Sequence, residues 1–136
     1  MTATTPPSEI QNHRDLIVWQ KAVKLAGHAH RLADTIRQPE RHILRDQMLR
    51  AALSVGSNIA EGHGRVSKPE FVRFLGIARG SLEELDTHIA IAHEIGCISF
   101  ESREQAMILA DEEGRMLWAL MKSLGSRVLT PRAFKQ

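Results

Sequence analysis

Seven histidines and one cysteine are the side chains of this sequence best suited to metal or nucleophilic chemistry. A zinc or di-iron site needs ligands on one face, at spacings such as His-Glu-x-x-His or Glu-x-x-His on a helix. Neither motif occurs. His28 and His30 are two apart, which sends them to different sides of a helix. His88 and His93 are five apart, an equally poor spacing for shared ligands. Glu84 and His88 are four apart and can touch, which suits a surface or interface hydrogen bond better than a ligand pair. Cys97 follows Gly96 with no cationic neighbour in sequence to hold a thiolate, so it reads as structural. Gly62-His63-Gly64-Arg65 is glycine-rich, but it has no Gly-Lys-Ser/Thr and no preceding strand, so it is not a phosphate loop. The residues therefore point to a protein that is not an enzyme, with no metal and no other cofactor.

The cations suggest binding instead. Arginine outnumbers lysine thirteen to five, although the net charge is only +2. Guanidinium forks engage phosphate and carboxylate bidentately. Arg41, Arg45, Arg50, Arg65, Lys68, Arg73 and Arg79 follow one another along the middle of the chain and are the candidate nucleic-acid contacts. The alternative is that they pair with Glu61, Glu70, Glu83, Glu84 and Asp86 within or between subunits. Aromatics are scarce and Tyr is absent, so base stacking is not expected. Recognition of shape and phosphate backbone would be the mechanism.

The elements that must carry these residues are helices. At 136 residues the chain fits one domain with a core of its own. Apolar residues recur at three- and four-residue steps, without the alternation or hairpin dipeptides of strands. The first helix is expected over Asp15 to Arg37, ended by Pro39. The second runs from His42 to about His63, where Gly62 and Gly64 break it. The third opens at Ser67-Lys68-Pro69-Glu70, which reads as a capping box, and closes at Gly96. The fourth begins at Ser99 or Ser102 and reaches about Leu124. Short connections make an all-α, antiparallel up-down-up-down four-helix bundle over residues 15–125. Residues 1–14 read as a flexible tail and 126–136 as a basic one. No apolar run is long enough to cross a membrane. The N-terminus lacks a secretory pattern and the cysteine is unpaired, which fits the cytoplasm.

One stretch breaks the helical pattern, Ser54-Val55-Gly56-Ser57-Asn58-Ile59-Ala60-Glu61-Gly62. On a continuous helix, Arg50, Ser54, Ser57, Asn58 and Glu61 form one polar stripe beside an apolar one. The third helix holds a matching pair of small residues, Gly76 and Gly80, beside Ser81. Two compatible readings are open. The small faces pack the second helix tightly on the third, or the stripe meets a second subunit. Ser54, Gly56, Asn58, Glu61, Gly76, Gly80 and Glu84 are the candidate interface or helix-packing residues.

The same stretch carries a family resemblance. Ser57-Asn58-Ile59-Ala60-Glu61-Gly62 resembles the signature of the 23S rRNA intervening-sequence proteins, a family of bacterial four-helix bundles. Asp15-Leu16-Ile17-Val18-Trp19-Gln20-Lys21-Ala22, the segment Gln47 to Val55, and the run Phe74 to Leu85 are similar to its other blocks, in the same order. There are departures. Arg50 stands alone where paired arginines are usual, Gly56 replaces a frequent proline, and Ile36-Arg37-Gln38 lacks the usual aromatic. The resemblance implies a bundle that assembles into a ring, commonly a homopentamer. It also implies kinship with the accessory proteins of diversity-generating retroelements, which bind nucleic acid and a reverse transcriptase. Two functions stay open here: a ring that binds RNA or DNA through arginines, or a protein-interaction scaffold that does not. Trp19 and Trp118 are candidate anchors for the second.

Overall fold

The computed structural model describes residues 10–125, and all regular structure among them is helical. Four long helices follow a short 3-10 turn at His13–Asp15: α1 (Ile17–Asp34), α2 (His42–His63), α3 (Lys68–Glu94) and α4 (Phe100–Gly125). A second 3-10 turn, Pro39–Arg41, leads into α2. The basic segment 126–136 and most of the expected N-terminal tail lie outside the described residues.

The helix ends follow from local chemistry. Asp15 does not open α1 as the spacing suggested. Its carboxylate accepts from the backbone N–H groups of Gln11 and Asn12, at 2.9 and 3.3 Å, while the Asn12 side chain accepts from Arg14 N–H at 2.8 Å. That capping box closes the 3-10 turn, and Leu16 is extended before α1 begins. At the other end Thr35 Oγ1 donates to the Leu32 carbonyl at 2.7 Å, so α1 stops three residues short of Arg37. Ser67 does cap α3, accepting from Glu70 N–H at 3.3 Å. The reciprocal half of the expected box is not formed, because the Glu70 carboxylate turns to Arg73 at 3.2 Å. Gly96 has φ of +79°, with Gly96 N–H bonded to His93 O and Cys97 N–H to Ala92 O at 2.8 Å. These are the paired bonds of a Schellman termination, where glycine carries no Cβ penalty. Ser99 Oγ accepts from Ser102 N–H at 3.1 Å and starts α4.

Each helix packs on its neighbours in chain order, and α1 closes the cycle on α4. The backbones of the diagonal pairs, α1 with α3 and α2 with α4, stay more than 8 Å apart between Cα atoms. Gly62, Ser54 and Arg50 of α2 meet Phe74, Ser81 and Glu84 of α3 in turn, so the two run antiparallel. Gly76 and Gly114 likewise meet Met121 and Leu82 across α3 and α4. The core is aliphatic: Leu25, Ile36, Met48, Val55, Ile59, Leu75, Leu85, Ile89 and Leu117 are each under 2% exposed.

The close approach of α2 and α3 comes from a residue that the sequence assigned to a helix end. Gly62 lies inside α2, and a Cβ there would sit 2.6 Å from Phe74 Cβ and 3.0 Å from Phe71 Cδ1. The glycines expected to bring α2 onto α3 do other things. A Cβ at Gly56 would face α1, 3.7 Å from Ala22 Cβ; one at Gly76 would lie 3.9 Å from Met121 Cε of α4; one at Gly80 would meet nothing within 4 Å. Residues four apart on one helix differ by about 40° in direction, enough for one to face a neighbour and the other open space.

Candidate functional site

The polar stripe of α2 lies along its seam with α3. Asn58 Nδ2 donates to the carbonyl and hydroxyl oxygens of Ser54, at 2.8 and 2.9 Å. Ser54 Oγ in turn shares a 2.7 Å hydrogen bond with Ser81 Oγ, and Ser81 is buried. Hydroxyls taken out of water need such partners, and here they find them between helices. One turn along, Arg50 Nη2 donates to Glu84 Oε2 at 2.8 Å and to Gln47 Oε1 at 3.1 Å. Glu61 accepts from Arg65 at 2.9 Å. Ser54 and Glu84 thus join α2 to α3 within the protomer, whereas Asn58 bonds back to Ser54 within α2 and Glu61 pairs with Arg65 at the α2 end.

The seven candidate cations do not form one patch. Helix α2 spans roughly 33 Å at 1.5 Å per residue and separates them. Arg41 and Arg45 stand at its start, and Arg65, Lys68 and Arg73 beyond its end. Arg45 Nη1 donates to the carbonyls of Ile36 and Gln38, both at 2.8 Å, which satisfies the turn after α1. Arg41 Nε is buried without a hydrogen-bond partner. At the far end the guanidinium carbons of Arg65 and Arg73 lie 4.8 and 4.6 Å from the ring centroid of Phe74. Their carboxylate partners, Glu61 and Glu70, are about half exposed (55% and 46%). Lys68 is exposed at the first position of α3, the positive end of its dipole. Arg79 lies over the ring of Trp118, 5.1 Å from its centroid.

Two grooves flank the bundle. One, of about 330 Å³, runs between α1 and α2 over Trp19, Ala22, Ala26, Gly56 and Ala60. Its rims are Val23 and Leu53, 48% and 63% exposed. The other, of about 510 Å³, lies between α3 and α4 and ends at Trp118. Among the described residues, no three His, Cys, Asp or Glu side chains come together as a metal site. Cys97 is half-buried and unpaired. No described helix is long and apolar enough to cross a membrane.

The sequence reading missed Glu113. It is 1% exposed, and neither carboxylate oxygen has a hydrogen-bond partner. Burial, with help from the charge of Glu112, pushes its pKa up to about 8 against the pull of Lys21. Lys21 is itself 3.2 Å from Glu112. A signal was present: Ala106, Ala110, Glu113, Leu117 and Met121 form one buried helical stripe with an acid in the middle.

Four antiparallel helices around one aliphatic core define an all-α four-helix bundle. The profile of the 23S rRNA-intervening sequence proteins matches residues 14–119, and the chain belongs to that family. A solved structure with a similar fold is a protein of unknown function from the S23 ribosomal protein family of Bacteroides thetaiotaomicron. It is 23% identical, with a TM-score of 0.72, and the match covers 77% of this chain and 98% of that one. No curated protein matches the chain.

Proposed function

We propose that this protein is a non-enzymatic, self-assembling bundle that binds the phosphate backbone of RNA or DNA at the α2–α3 end. The observation that carries this reading is the pair of guanidiniums, Arg65 and Arg73, over Phe74, with the exposed Lys68 at the start of the same helix α3. Two guanidiniums are already ordered over one ring, so binding a phosphate there need not freeze two long side chains. Their present partners are exposed carboxylates, and exposed pairs of this kind contribute only about 0.2–1 kcal/mol each. A phosphate can therefore compete for them. Arg45 is excluded from this role, because moving it would strip two backbone carbonyls of their donor.

One protomer offers few phosphate contacts. Assembly multiplies them, and affinity rises steeply with their number. The α1–α2 groove supports assembly: its floor is built from small residues, and its rims expose aliphatic side chains to water. The family resemblance implies a homopentamer. The same groove favours a second reading, a scaffold that docks another protein and binds no nucleic acid. A reverse transcriptase is the kind of partner the resemblance suggests.

Gel shifts of the full chain with structured RNA and with duplex DNA, at about 50 and 200 mM salt, separate the two. The proposal expects binding at the lower salt and its collapse at the higher. Absence of binding at both, with a protein partner retained after nuclease treatment, would leave the scaffold.

A further inference from the structure

The outward face of α4 carries Glu104, Ile108, Asp111, Arg115, Trp118 and Lys122, at alternating steps of four and three residues. At 3.6 residues per turn, all six fall within about 40° of one direction. The buried stripe from Ala106 to Met121 lies on the other side of the helix. Ile108 is 65% exposed, Trp118 is half-buried, and the four charged residues are exposed. The first three positions are two acids around Ile108, and the last three are two bases around Trp118. Turned end over end, this face presents a base to each of its own acids and an aromatic ring to its own Ile108.

The helix dipole does not account for this order. It acts within the first and last turns, whereas Asp111 and Arg115 stand in the middle of α4. Pairing inside the protomer does not account for it either. Asp111 and Arg115 are four apart, in the favourable order for a helical pair, yet they do not pair. Glu104 and Lys122 likewise form no ion pair with another described residue. Helix α3 repeats the order alongside. Asp86 stands near Asp111: burial, and then the charge of Asp111, holds its carboxyl above the usual range, against the pull of Arg103. Arg103 is a cation at this acidic end, but it lies off the stripe and its Nη1 is bonded to His93 Nδ1 at 3.3 Å. At the basic end Arg79 lies over the Trp118 ring.

We propose that α4 pairs with α4 of a second copy of this chain, antiparallel about a two-fold axis that passes between Asp111 and Arg115. Glu104 of each protomer then faces the partner's Lys122, Ile108 the partner's Trp118, and Asp111 the partner's Arg115. Every position is used twice, as an isologous contact requires. The stripe is about 27 Å long. One helix pair falls short of the roughly 1,200 Å² that stable dimers bury, so the pairing is concentration-dependent. The contact lies on a different face from the α1–α2 groove, and it depends neither on that groove nor on nucleic acid. Its consequence is that assemblies built through the groove are joined two by two.

The test is charge exchange in the full chain, on a Leu53→Glu background that removes the groove contact. At low salt and high protein concentration the Leu53→Glu parent should sediment at twice 15.2 kDa. Adding E104K/D111K makes the stripe all basic, and adding R115E/K122E makes it all acidic. Each of these alone should fall to the single-chain mass. An equimolar mixture of the two should return to the paired mass, since all four ion pairs are restored, and should weaken as salt is added. The four positions are exposed, and circular dichroism checks that each variant keeps its helices. A parent that stays at the single-chain mass, reversed variants that pair as well as the parent, or a mixture that does not pair would each overturn the proposal. An equal, paired mass for wild type and Leu53→Glu would support it while counting against the groove.

Discussion

Glu113 is where a single residue sets a property of the whole fold. A carboxylate with neither oxygen bonded, at 1% exposure, is uncharged at neutral pH because ionising it there is too costly. Its folded-state pKa of about 8 lies above the ordinary 4.5. Between those values the folded chain holds a proton that the unfolded chain releases. The stability this group allows is therefore complete below about pH 4.5, declines as pH rises, and is lost through the folded value near 8. At pH 7 the loss is roughly 3 kcal/mol. Urea unfolding at pH 5, 7 and 9 should show the wild type weakening across the series. Glu113→Gln should flatten the profile, and Glu113→Leu should raise stability at pH 7 by about 2 kcal/mol, as expected on removing a buried polar group without hydrogen-bond partners. A wild-type profile without that decline would refute the account of this residue.

At the scale of elements, periodicity and end signals carried most of the fold. The bounds of α2, the Ser67 cap of α3 and the Gly96 termination were legible because each depends on neighbours in sequence. The start of α1 was not. Asp15 is a good helix opener by type, but Asn12 captured it into a tighter turn three residues earlier. Glycine roles were also hidden, since a helix with two helical neighbours and a solvent side gives each face a different duty. Gly62 and Gly80 now make opposite predictions. Gly62→Ala forces a Cβ to 2.6 Å from Phe74 Cβ and should cost about 1–3 kcal/mol despite its gain in helix propensity. Gly80→Ala meets nothing within 4 Å and should stabilise by up to about 1 kcal/mol. Thermal melts of the two variants against wild type check both signs. The distribution of the cations was the other illegible feature. Arg45 and Arg65 read alike in sequence, yet one satisfies a turn and the other stacks on a ring.

For the molecule as a whole, the proposed account joins two surfaces: an apolar groove for self-assembly and a cationic end for phosphate. Leu53 is 63% exposed, so Leu53→Glu should not disturb the core. Light scattering should find the wild type at a multiple of 15.2 kDa and this variant shifted toward the single-chain mass. The most direct measurement of the central claim is the salt dependence of RNA-duplex binding by wild type, R65Q/K68Q/R73Q and R41Q. Each phosphate contact contributes a slope of about −0.9 in log affinity against log salt. The account predicts that the triple variant loses both affinity and slope while R41Q keeps them. Equal slopes in all three proteins, or greater loss in R41Q, would contradict it.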